Sequence, residues 1–499
     1  PAGQSVSFTY DANGQMLTST DARGNQVAQN TYNADGRVTD QVMADGSTMH
    51  LEYPDATTRK ITYGNGHVRE HHFESHGLFT GIKTALNQTY TTTYSPALFD
   101  TSGGARAITN TDPQGRTVVT ELNNRNQPVR ITDQAGRVTE MAYEPTFNLL
   151  STIKDPLGRI TRFTYDANGN VTQAQDPDGN TSTFTYNAQG QVLSATDALG
   201  QKAQYAYDPN HDLTKVTDPA GNKTAYTYDT LSRLTKVTDA KGNSTQYSYD
   251  TLNQVTQITD ALGNTTHFAY DENGNVVSVT DPKGHTTTAS YDPMNRLVST
   301  TNAKGETASL SYDADGNVVS STDAKGQTTQ YSYDALDQVS DVNYSDGTHY
   351  HYTYDNVNRM TDLSDGTQQW HFAYDILDRL ISENTPQGSL NYTYDTVSRL
   401  TGFTSPNTNY APVQYAYDNL DRITGITQNG KTYGYTYDAI GRRTSLTRPN
   451  GIQTVYEYDA ASRLSALTHS KGTTAIERHT YAYDPNGNIT QYVRGKGTA

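Results

Sequence analysis

Residues 163–180 read FTYDANGNVTQAQDPDGN, and this stretch predicts a β-hairpin followed by a second turn. Phe163 and Tyr165 alternate onto one face of a first strand. The segment from Asp166 to Gly169 predicts a tight turn, because glycine adopts the positive φ angles that such turns require. A second strand begins at Val171, and a turn containing Pro177 and glycine ends it. No segment of the chain shows a helical period.

The same pattern recurs every 21 residues through the middle of the chain. A fixed period of this size indicates stacked supersecondary units. The strictly spaced tyrosines, all but the second followed by aspartate, are Tyr165, Tyr186, Tyr207, Tyr228, Tyr249, Tyr270, Tyr291, Tyr312, Tyr333 and Tyr354. With small slips in spacing, the position is filled upstream and downstream by Tyr10, Tyr32, Tyr53, Phe73, Tyr94, Leu122, Tyr143, Tyr374, Tyr394, Tyr417, Tyr437, Tyr458 and Tyr483, which gives 23 units.

The repeats predict one array over residues 1–499 rather than several domains, because repeat units contact mainly their neighbours. Residues 1–160 hold degenerate repeats with a loop insertion near 99–108, residues 161–360 hold strict repeats, and residues 361–499 hold slightly irregular ones. The start of the chain has no signal-peptide character. We expect it to be a cut within a larger protein.

The composition excludes several classes of function. The net charge is −16, so the surface disfavours nucleic acid and anionic membranes, which both bind basic patches. The chain has no cysteine, which excludes disulfides and thiolate chemistry. No apolar run approaches the roughly 18 residues that a membrane-spanning helix needs. The 38 tyrosines are suited to a sheet with at least one solvent-exposed face, because each has an apolar ring and a hydroxyl group that water can solvate.

Geometry favours a curled sheet. Two strands for each unit give about 46 strands, and at roughly 4.8 Å for each strand a single sheet would be about 220 Å wide. Twisted sheets rarely exceed about 10 strands without curling or splitting. We therefore predict an all-β, spiralling ribbon of hairpins whose interior is hollow or filled by something else.

The motif resembles a known repeat. Tyr228-Asp229, followed by Arg233-Leu234 and by residues 238–243 (TDAKGN), is similar to the YD or RHS (rearrangement hotspot) repeat, and residues 270–284 give a second clear instance. The family includes bacterial RHS polymorphic toxins, the B and C components of insecticidal toxin complexes, and teneurin shells. The resemblance implies a hollow β cocoon that encloses a C-terminal cytotoxic domain until delivery to a target cell, and we expect this chain to be all or part of that shell.

The resemblance also implies partners. These are the enclosed toxin cargo and, for members exported by type VI secretion in interbacterial competition, the spike's PAAR and VgrG components with a chaperone. Such a protein is made in the bacterial cytoplasm and is extracellular after export. We expect the delivery domain, the autoproteolytic segment and the C-terminal toxin to be absent here. The nearest match to the autoproteolytic signature, Asp155-Pro156-Leu157-Gly158-Arg159, has arginine in place of leucine and lies within the array.

No residue pattern predicts catalysis or a cofactor. Any enzymatic activity would lie in an absent C-terminal domain. His72 and His76 are weak metal candidates, because the Tyr-Asp register places them on a strand and turn rather than on one helix face. Calcium binding by the Asp-rich turns is also disfavoured, since each turn offers only one or two carboxylates. The positions that we assign structural roles are Tyr165, Asp166, Gly169, Tyr228, Asp229, Tyr249, Asp250, Tyr270, Asp271, Gly274, Tyr312, Asp313 and Gly316.

Aromatic residues two positions before the repeat tyrosine, such as Phe163, Phe184 and Tyr205, predict a second row along the ribbon. We interpret the rows as cross-strand packing, with glycan or cargo contact as the alternative. The main functional hypothesis is therefore a toxin-enclosing shell. Two alternatives stay open: an extracellular adhesion or carbohydrate-binding YD-repeat protein, and an isolated repeat fragment with no activity of its own.

Overall fold

The computed structural model of the chain describes residues 5–95, 106–406 and 410–496, and every regular element in these ranges is a β-strand. The predicted all-β array of hairpins, with 46 strands, is confirmed. Most of the loop insertion predicted near residues 99–108 lies outside the described residues. Its last three residues, 106–108, belong to a strand. In the part of the chain that is described, no helix could cross a bilayer.

The strands follow one another with short turns between them. In the first half of the chain they are β1 (Ser7–Tyr10), β2 (Met16–Thr20), β3 (Gln26–Tyr32), β4 (Val38–Met43), β5 (Thr48–Glu52), β6 (Thr58–Tyr63), β7 (Val68–Phe73), β8 (Phe79–Lys83), β9 (Thr89–Ser95), β10 (Arg106–Thr111), β11 (Thr117–Leu122), β12 (Pro128–Thr132), β13 (Val138–Tyr143), β14 (Leu150–Lys154), β15 (Ile160–Tyr165), β16 (Val171–Gln175), β17 (Thr181–Tyr186), β18 (Val192–Thr196), β19 (Lys202–Tyr207), β20 (Leu213–Thr217), β21 (Lys223–Tyr228), β22 (Leu234–Thr238) and β23 (Ser244–Tyr249).

In the second half they are β24 (Val255–Thr259), β25 (Thr265–Tyr270), β26 (Val276–Thr280), β27 (Thr286–Tyr291), β28 (Leu297–Thr301), β29 (Thr307–Tyr312), β30 (Val318–Thr322), β31 (Thr328–Tyr333), β32 (Val339–Tyr344), β33 (His349–Tyr354), β34 (Met360–Ser364), β35 (Gln369–Tyr374), β36 (Leu380–Thr385), β37 (Gly388–Tyr394), β38 (Leu400–Thr404), β39 (Val413–Tyr417), β40 (Ile423–Gln428), β41 (Lys431–Tyr437), β42 (Arg443–Thr447), β43 (Ile452–Tyr458), β44 (Leu464–Lys471), β45 (Thr474–Tyr483) and β46 (Ile489–Lys496).

Wherever the strand pairing of a Tyr-Asp hairpin is described, it carries a β-bulge at the tyrosine. In the antiparallel pair β15–β16, Phe163 lies opposite Ala174 and Tyr165 lies opposite Val171, with a register shift just before the tyrosine. The turn that follows has a left-handed residue four positions after the tyrosine, and at Gly169 φ is 83°. Where glycine is replaced, the position still has positive φ, as at Ser232. The bulge and this residue together close the hairpin.

The chain forms two compact units, and each combines two segments that are distant in sequence. The first unit comprises residues 1–119 and 247–372, and its turns are joined by side chains, with Arg296 Nη2 2.9 Å from Asp45 Oδ2. The second unit comprises residues 120–246 and 373–499, and Arg159 Nη1 lies 2.6 Å from Asp421 Oδ1. Within each unit, side chains of turn residues therefore connect remote parts of the ribbon.

The described strands belong to one sheet, and their two faces differ in exposure. In β15, Phe163 and Tyr165 are half-buried while Arg162 and Thr164 on the opposite face are exposed, and most repeats share this alternation. The hydrophobic residues that are buried among those described are Ala28, Leu122, Val342, Val413 and Ala466. The accessible surface is 27602 Å², whereas a compact protein of this mass would expose about 18,000 Å². Contacts between neighbouring strands therefore supply most of the packing.

Candidate functional site

The repeat tyrosine joins each hairpin to the preceding one. The Tyr165 hydroxyl donates a hydrogen bond of 2.6 Å to the carbonyl oxygen of Leu150, the first residue of β14. Burial raises the pKa of Tyr165, as expected for a phenol that is held against the sheet. Equivalent hydrogen bonds connect Tyr228 to Leu213, Tyr270 to Val255 and Tyr312 to Leu297, and Tyr249 ends β23 at the same repeat position.

The aspartate that follows organises the turn. Asp166 Oδ1 accepts the backbone N–H groups of Asn168 and Asn170, both at 2.9 Å, and Asp166 Oδ2 accepts Asn170 Nδ2 at 2.9 Å. The hydrogen bond from the Asn170 side chain is the main cause that lowers the pKa of Asp166. Asp229, Asp250, Asp271 and Asp313 accept the same pair of backbone N–H groups, and Gly274 and Gly316 have positive φ in the last two turns. These carboxylates are therefore engaged in capping their own turns.

Arginines form a third set of contacts, which the sequence reasoning missed. Arg399 Nε donates to Asp395 Oδ2 at 2.5 Å, and its Nη1 donates to the carbonyl oxygen of Asp418 at 2.9 Å. The guanidinium carbon lies 4.8 Å from the centre of the Tyr417 ring. Arg379, Arg422 and Arg463 repeat this arrangement. The sequence feature that could have revealed these contacts is an arginine at the fifth position after the repeat tyrosine.

In the strict repeats, strand pairing sets the second aromatic row against aliphatic residues. Strand pairing places Val216 opposite Tyr205 and Val237 opposite Tyr226. Direct ring contacts occur at Phe403, whose ring centre lies 6.3 Å from that of Tyr392 and 6.5 Å from that of Tyr415. The row is therefore an alternation of aromatic and apolar side chains along one face of the sheet.

We expect acid to weaken the fold. Burial alone would raise the pKa of Asp395, but hydrogen bonds from the side chain and backbone of Arg399 outweigh burial and lower this pKa. The pKa values of four other repeat aspartates are lowered in the same way, those of Asp355, Asp418, Asp438 and Asp459. Below the unfolded-state pKa of about 3.9, the unfolded chain binds more protons than the folded one. The stabilisation is thus present at neutral pH and is lost as pH falls through the folded pKa values.

Urea unfolding at about pH 7, 5 and 3 measures this effect. The free energy of unfolding should change little between the first two values and fall at the third. The variant Asp438→Asn should show a smaller acid-dependent loss than the native chain, because one of these carboxylates is gone. Equal stability at about pH 5 and pH 3 would contradict the role of the carboxylates.

The two histidines singled out in the sequence lie at different places in one hairpin. His72 is in β7, with Nε2 3.9 Å from Glu70 Oε2, and His76 lies in the following turn, with Nδ1 3.2 Å from Ser75 Oγ. The interpretation that neither position is a strong metal site stays a prediction.

Among the described residues, two groups of three histidine and carboxylate side chains have one donor atom each within 4.8 Å of one another. They are His67–Asp315–Asp337 in the first unit and His469–Glu477–His479 in the second. The members of the first group are remote in sequence, so local patterns could not reveal it. The second group lies on adjacent strands, and strand alternation could have identified it.

A cavity of about 450 Å³ lies in the first unit around the His67 group. Asp45 is paired with Arg296 at 2.9 Å, and Asp337 is paired with Arg69 at 3.3 Å. Burial, followed by the charges of Asp337 and Asp313, raises the pKa of Asp315. Paired charges of this kind are suited to joining the two segments of the unit.

Comparisons with known proteins agree with the repeat pattern of the sequence. The sequence model of the RHS repeat matches more than half of the chain, at residues 1–26, 146–181, 165–202, 186–223, 207–244, 228–266, 270–307, 312–349, 426–453 and 437–474. No curated protein sequence is similar enough to count as a match.

Solved structures with a similar fold come from toxin complexes. One is the Tc holotoxin pore of Photorhabdus luminescens carrying a TccC3 mutation, with 16% identity, a TM-score of 0.64, and coverage of 98% of this chain and 32% of that one. Another is TcdB2–TccC3 without its hypervariable C-terminal region, with 15% identity, a TM-score of 0.66, and coverage of 98% and 30%. The chain thus spans about a third of the length of these relatives.

Proposed function

We propose, on the premise that this chain belongs to the RHS repeat family, that it forms part of the wall of a shell. The shell would sequester a toxic effector and protect it until delivery to a target cell. The observation that carries the proposal is the long sheet of antiparallel hairpins, which shares its fold over nearly the whole chain with the TcdB2–TccC3 structures.

The proposed mechanism is exclusion rather than catalysis. Within the described repeats, the Tyr165 hydroxyl and the Asp166 carboxylate are used in the hydrogen bonds that hold hairpins together. A continuous hydrogen-bonded sheet leaves few backbone groups free for a protease to bind as an extended strand. Cargo behind such a wall would be kept from the producing cell and from proteases.

The partners follow from the same proposal. The principal one is an effector domain enclosed by the wall. For export by a type VI system, spike components of the PAAR and VgrG types with a chaperone would join it. The protein would be made in the bacterial cytoplasm and would act after secretion.

A protease-protection experiment tests enclosure. An unfolded reporter peptide is fused after Ala499 in one protein and before Pro1 in another, and both are digested with a non-specific protease. We expect at least one of the two reporters to be degraded much more slowly than the same peptide added free in solution. Degradation of both fused reporters at the rate of the free peptide would reject enclosure by this chain.

Carbohydrate binding is the second candidate, and one feature favours it. Tyr410 is 66% exposed and borders a cavity of about 270 Å³ that is also lined by Glu383, Gln387 and Gln428. Exposed aromatic rings beside amide and carboxylate groups are suited to sugar faces and hydroxyls. Glycan-array binding that Tyr410→Ala abolishes, together with unprotected reporters, would favour this function over the shell.

A further inference from the structure

Two histidines and a glutamate converge on one face of the hairpin β44–β45. The antiparallel register places His469 directly opposite Glu477, and His479 follows two residues later on the same face as Glu477. His479 Nε2 lies 3.3 Å from Glu477 Oε2, and one donor atom from each of the three residues lies within 4.8 Å of the others. All three residues are partly buried, with the side chains of His479 and Glu477 15% and 20% exposed.

We propose that His469, Glu477 and His479 bind one divalent transition-metal ion of the zinc class. Imidazole nitrogen and carboxylate oxygen are ligands that zinc prefers, and the ion accepts three protein ligands with water in the fourth position. Metal–ligand bonds of about 2.0–2.1 Å in a tetrahedron place neighbouring donor atoms about 3.3 Å apart. The observed separation of 3.3 Å between His479 Nε2 and Glu477 Oε2 already meets this requirement.

The second nitrogen of each imidazole is held by a hydroxyl group. His469 Nδ1 lies 2.9 Å from Oγ1 of Thr454, a residue that is 1% exposed, and His479 Nδ1 lies 2.7 Å from Tyr492 Oη. A hydroxyl can accept the Nδ1–H of a neutral imidazole, which leaves Nε2 as the metal ligand. Thr454 Oγ1 also accepts Arg448 Nη1 at 2.8 Å, which fixes its position.

A neighbouring side chain also orients the glutamate. Arg494 Nε contacts Glu477 Oε1, so Oε2 is the oxygen that faces His479. Arg478, the residue between the two ligands on β45, points to the opposite face and pairs with Glu457 at 2.8 Å. The cation of Arg478 is therefore kept away from the proposed metal position.

The metal would connect four successive strands. Its ligands lie on β44 and β45, and the hydroxyl groups that orient the imidazoles lie on β43 and β46. Since an ion that binds only the folded state raises stability in proportion to the logarithm of its concentration, the site would strengthen this end of the described array. The proposal does not depend on enclosure of a cargo.

The group His67–Asp315–Asp337 serves as an internal comparison. Arg69 already pairs with Asp337 at 3.3 Å, and His67 Nδ1 is 3.9 Å from Asp315 but 2.7 Å from Asn65 Nδ2. With one imidazole where the proposed site has two, this group is a poorer zinc site. It supplies a control that offers the same classes of ligand, imidazole and carboxylate.

The test is zinc uptake by the full chain. Equilibrium dialysis at micromolar Zn²⁺, with metal measured by mass spectrometry, should give one ion for each chain. His469→Ala and His479→Ala should abolish this uptake, whereas His67→Ala and His72→Ala should leave it unchanged. Absence of uptake by the native chain, or uptake that survives His469→Ala, would overturn the proposal.

Two further measurements keep the result independent of folding defects. Tyr492→Phe removes only a hydroxyl and should weaken zinc binding by about 10- to 100-fold, as loss of a hydrogen bond to a metal-binding imidazole does. Co²⁺ added to the native chain should give the intense visible absorption of a four-coordinate site. Unchanged zinc affinity in Tyr492→Phe, or a spectrum typical of hexa-aquo Co²⁺, would contradict the assigned geometry.

Discussion

Replacing Tyr437 by alanine is expected to lower the free energy of unfolding by about 3 kcal/mol. The Tyr437 hydroxyl donates to the carbonyl oxygen of Ile423 at 2.7 Å, and the Arg422 guanidinium carbon lies 4.9 Å from the ring centre. The substitution removes a partly buried ring, a hydrogen bond worth about 1 kcal/mol and a cation–π contact worth about 0.5–1 kcal/mol. It therefore weakens the contact between one hairpin and the preceding one.

Urea denaturation followed by circular dichroism measures the loss, and two variants give its origin. Tyr437→Phe keeps the ring and should cost only about 1 kcal/mol, the value of the hydrogen bond. Tyr433 lies on the same strand but is 44% exposed, so Tyr433→Ala should cost less than about 1 kcal/mol. If Tyr433→Ala were as damaging as Tyr437→Ala, the repeat tyrosine would have no special role.

The hairpins were predictable because the interactions that form them are local. The turn after Tyr165 depends on Asp166, on Gly169 and on a strand that begins two residues later, all within one repeat. The sequence period therefore contains nearly everything that the secondary structure needs. Strand count and hairpin boundaries follow from it.

Contacts between remote repeats could not be predicted in the same way. Asn419 and Asp178 are hydrogen-bonded although 241 residues separate them, and Arg23 reaches Asn295 across 272 residues. Each of these residues occupies an ordinary turn position, so nothing in the local pattern distinguishes it. The meeting points depend on the twist accumulated over many strands, which the sequence period does not specify.

The residues of the candidate site also divide into those that the local sequence predicts and those that it does not. The sequence indicated that Tyr228 and Asp229 are structural, and the structure shows their hydrogen bonds. The aliphatic partners of second-row aromatics in the strict repeats, such as Val237 opposite Tyr226, required the bulged register and were missed. The pair His469 and Glu477 was also missed, since the lengthened strands of that hairpin depart from the repeat pattern.

Replacing Asp438 by alanine is expected to cost about 2–3 kcal/mol, because three hydrogen bonds to one charged group are lost. Asp438 Oδ1 accepts the backbone N–H groups of Ile440 at 3.1 Å and Arg442 at 2.9 Å, and Oδ2 accepts Arg442 Nε at 2.7 Å. Its side chain is 13% exposed, so solvent replaces these bonds poorly. Without them the turn loses its cap, and Arg442 loses the anchor that holds it over the Tyr458 ring.

Asp438→Asn separates the two contributions within this turn. Asparagine keeps an oxygen for the backbone N–H groups, as Asn187 does in its own repeat, but places an amide against the guanidinium. Its cost should lie between zero and that of alanine when measured by urea unfolding. Asp35→Ala is the matched control, because Asp35 is a turn aspartate with a 67% exposed side chain whose surface ion pair contributes little. Equal losses from Asp35→Ala and Asp438→Ala would show that the repeat aspartate stabilises the chain through its charge alone and not through the turn that it caps.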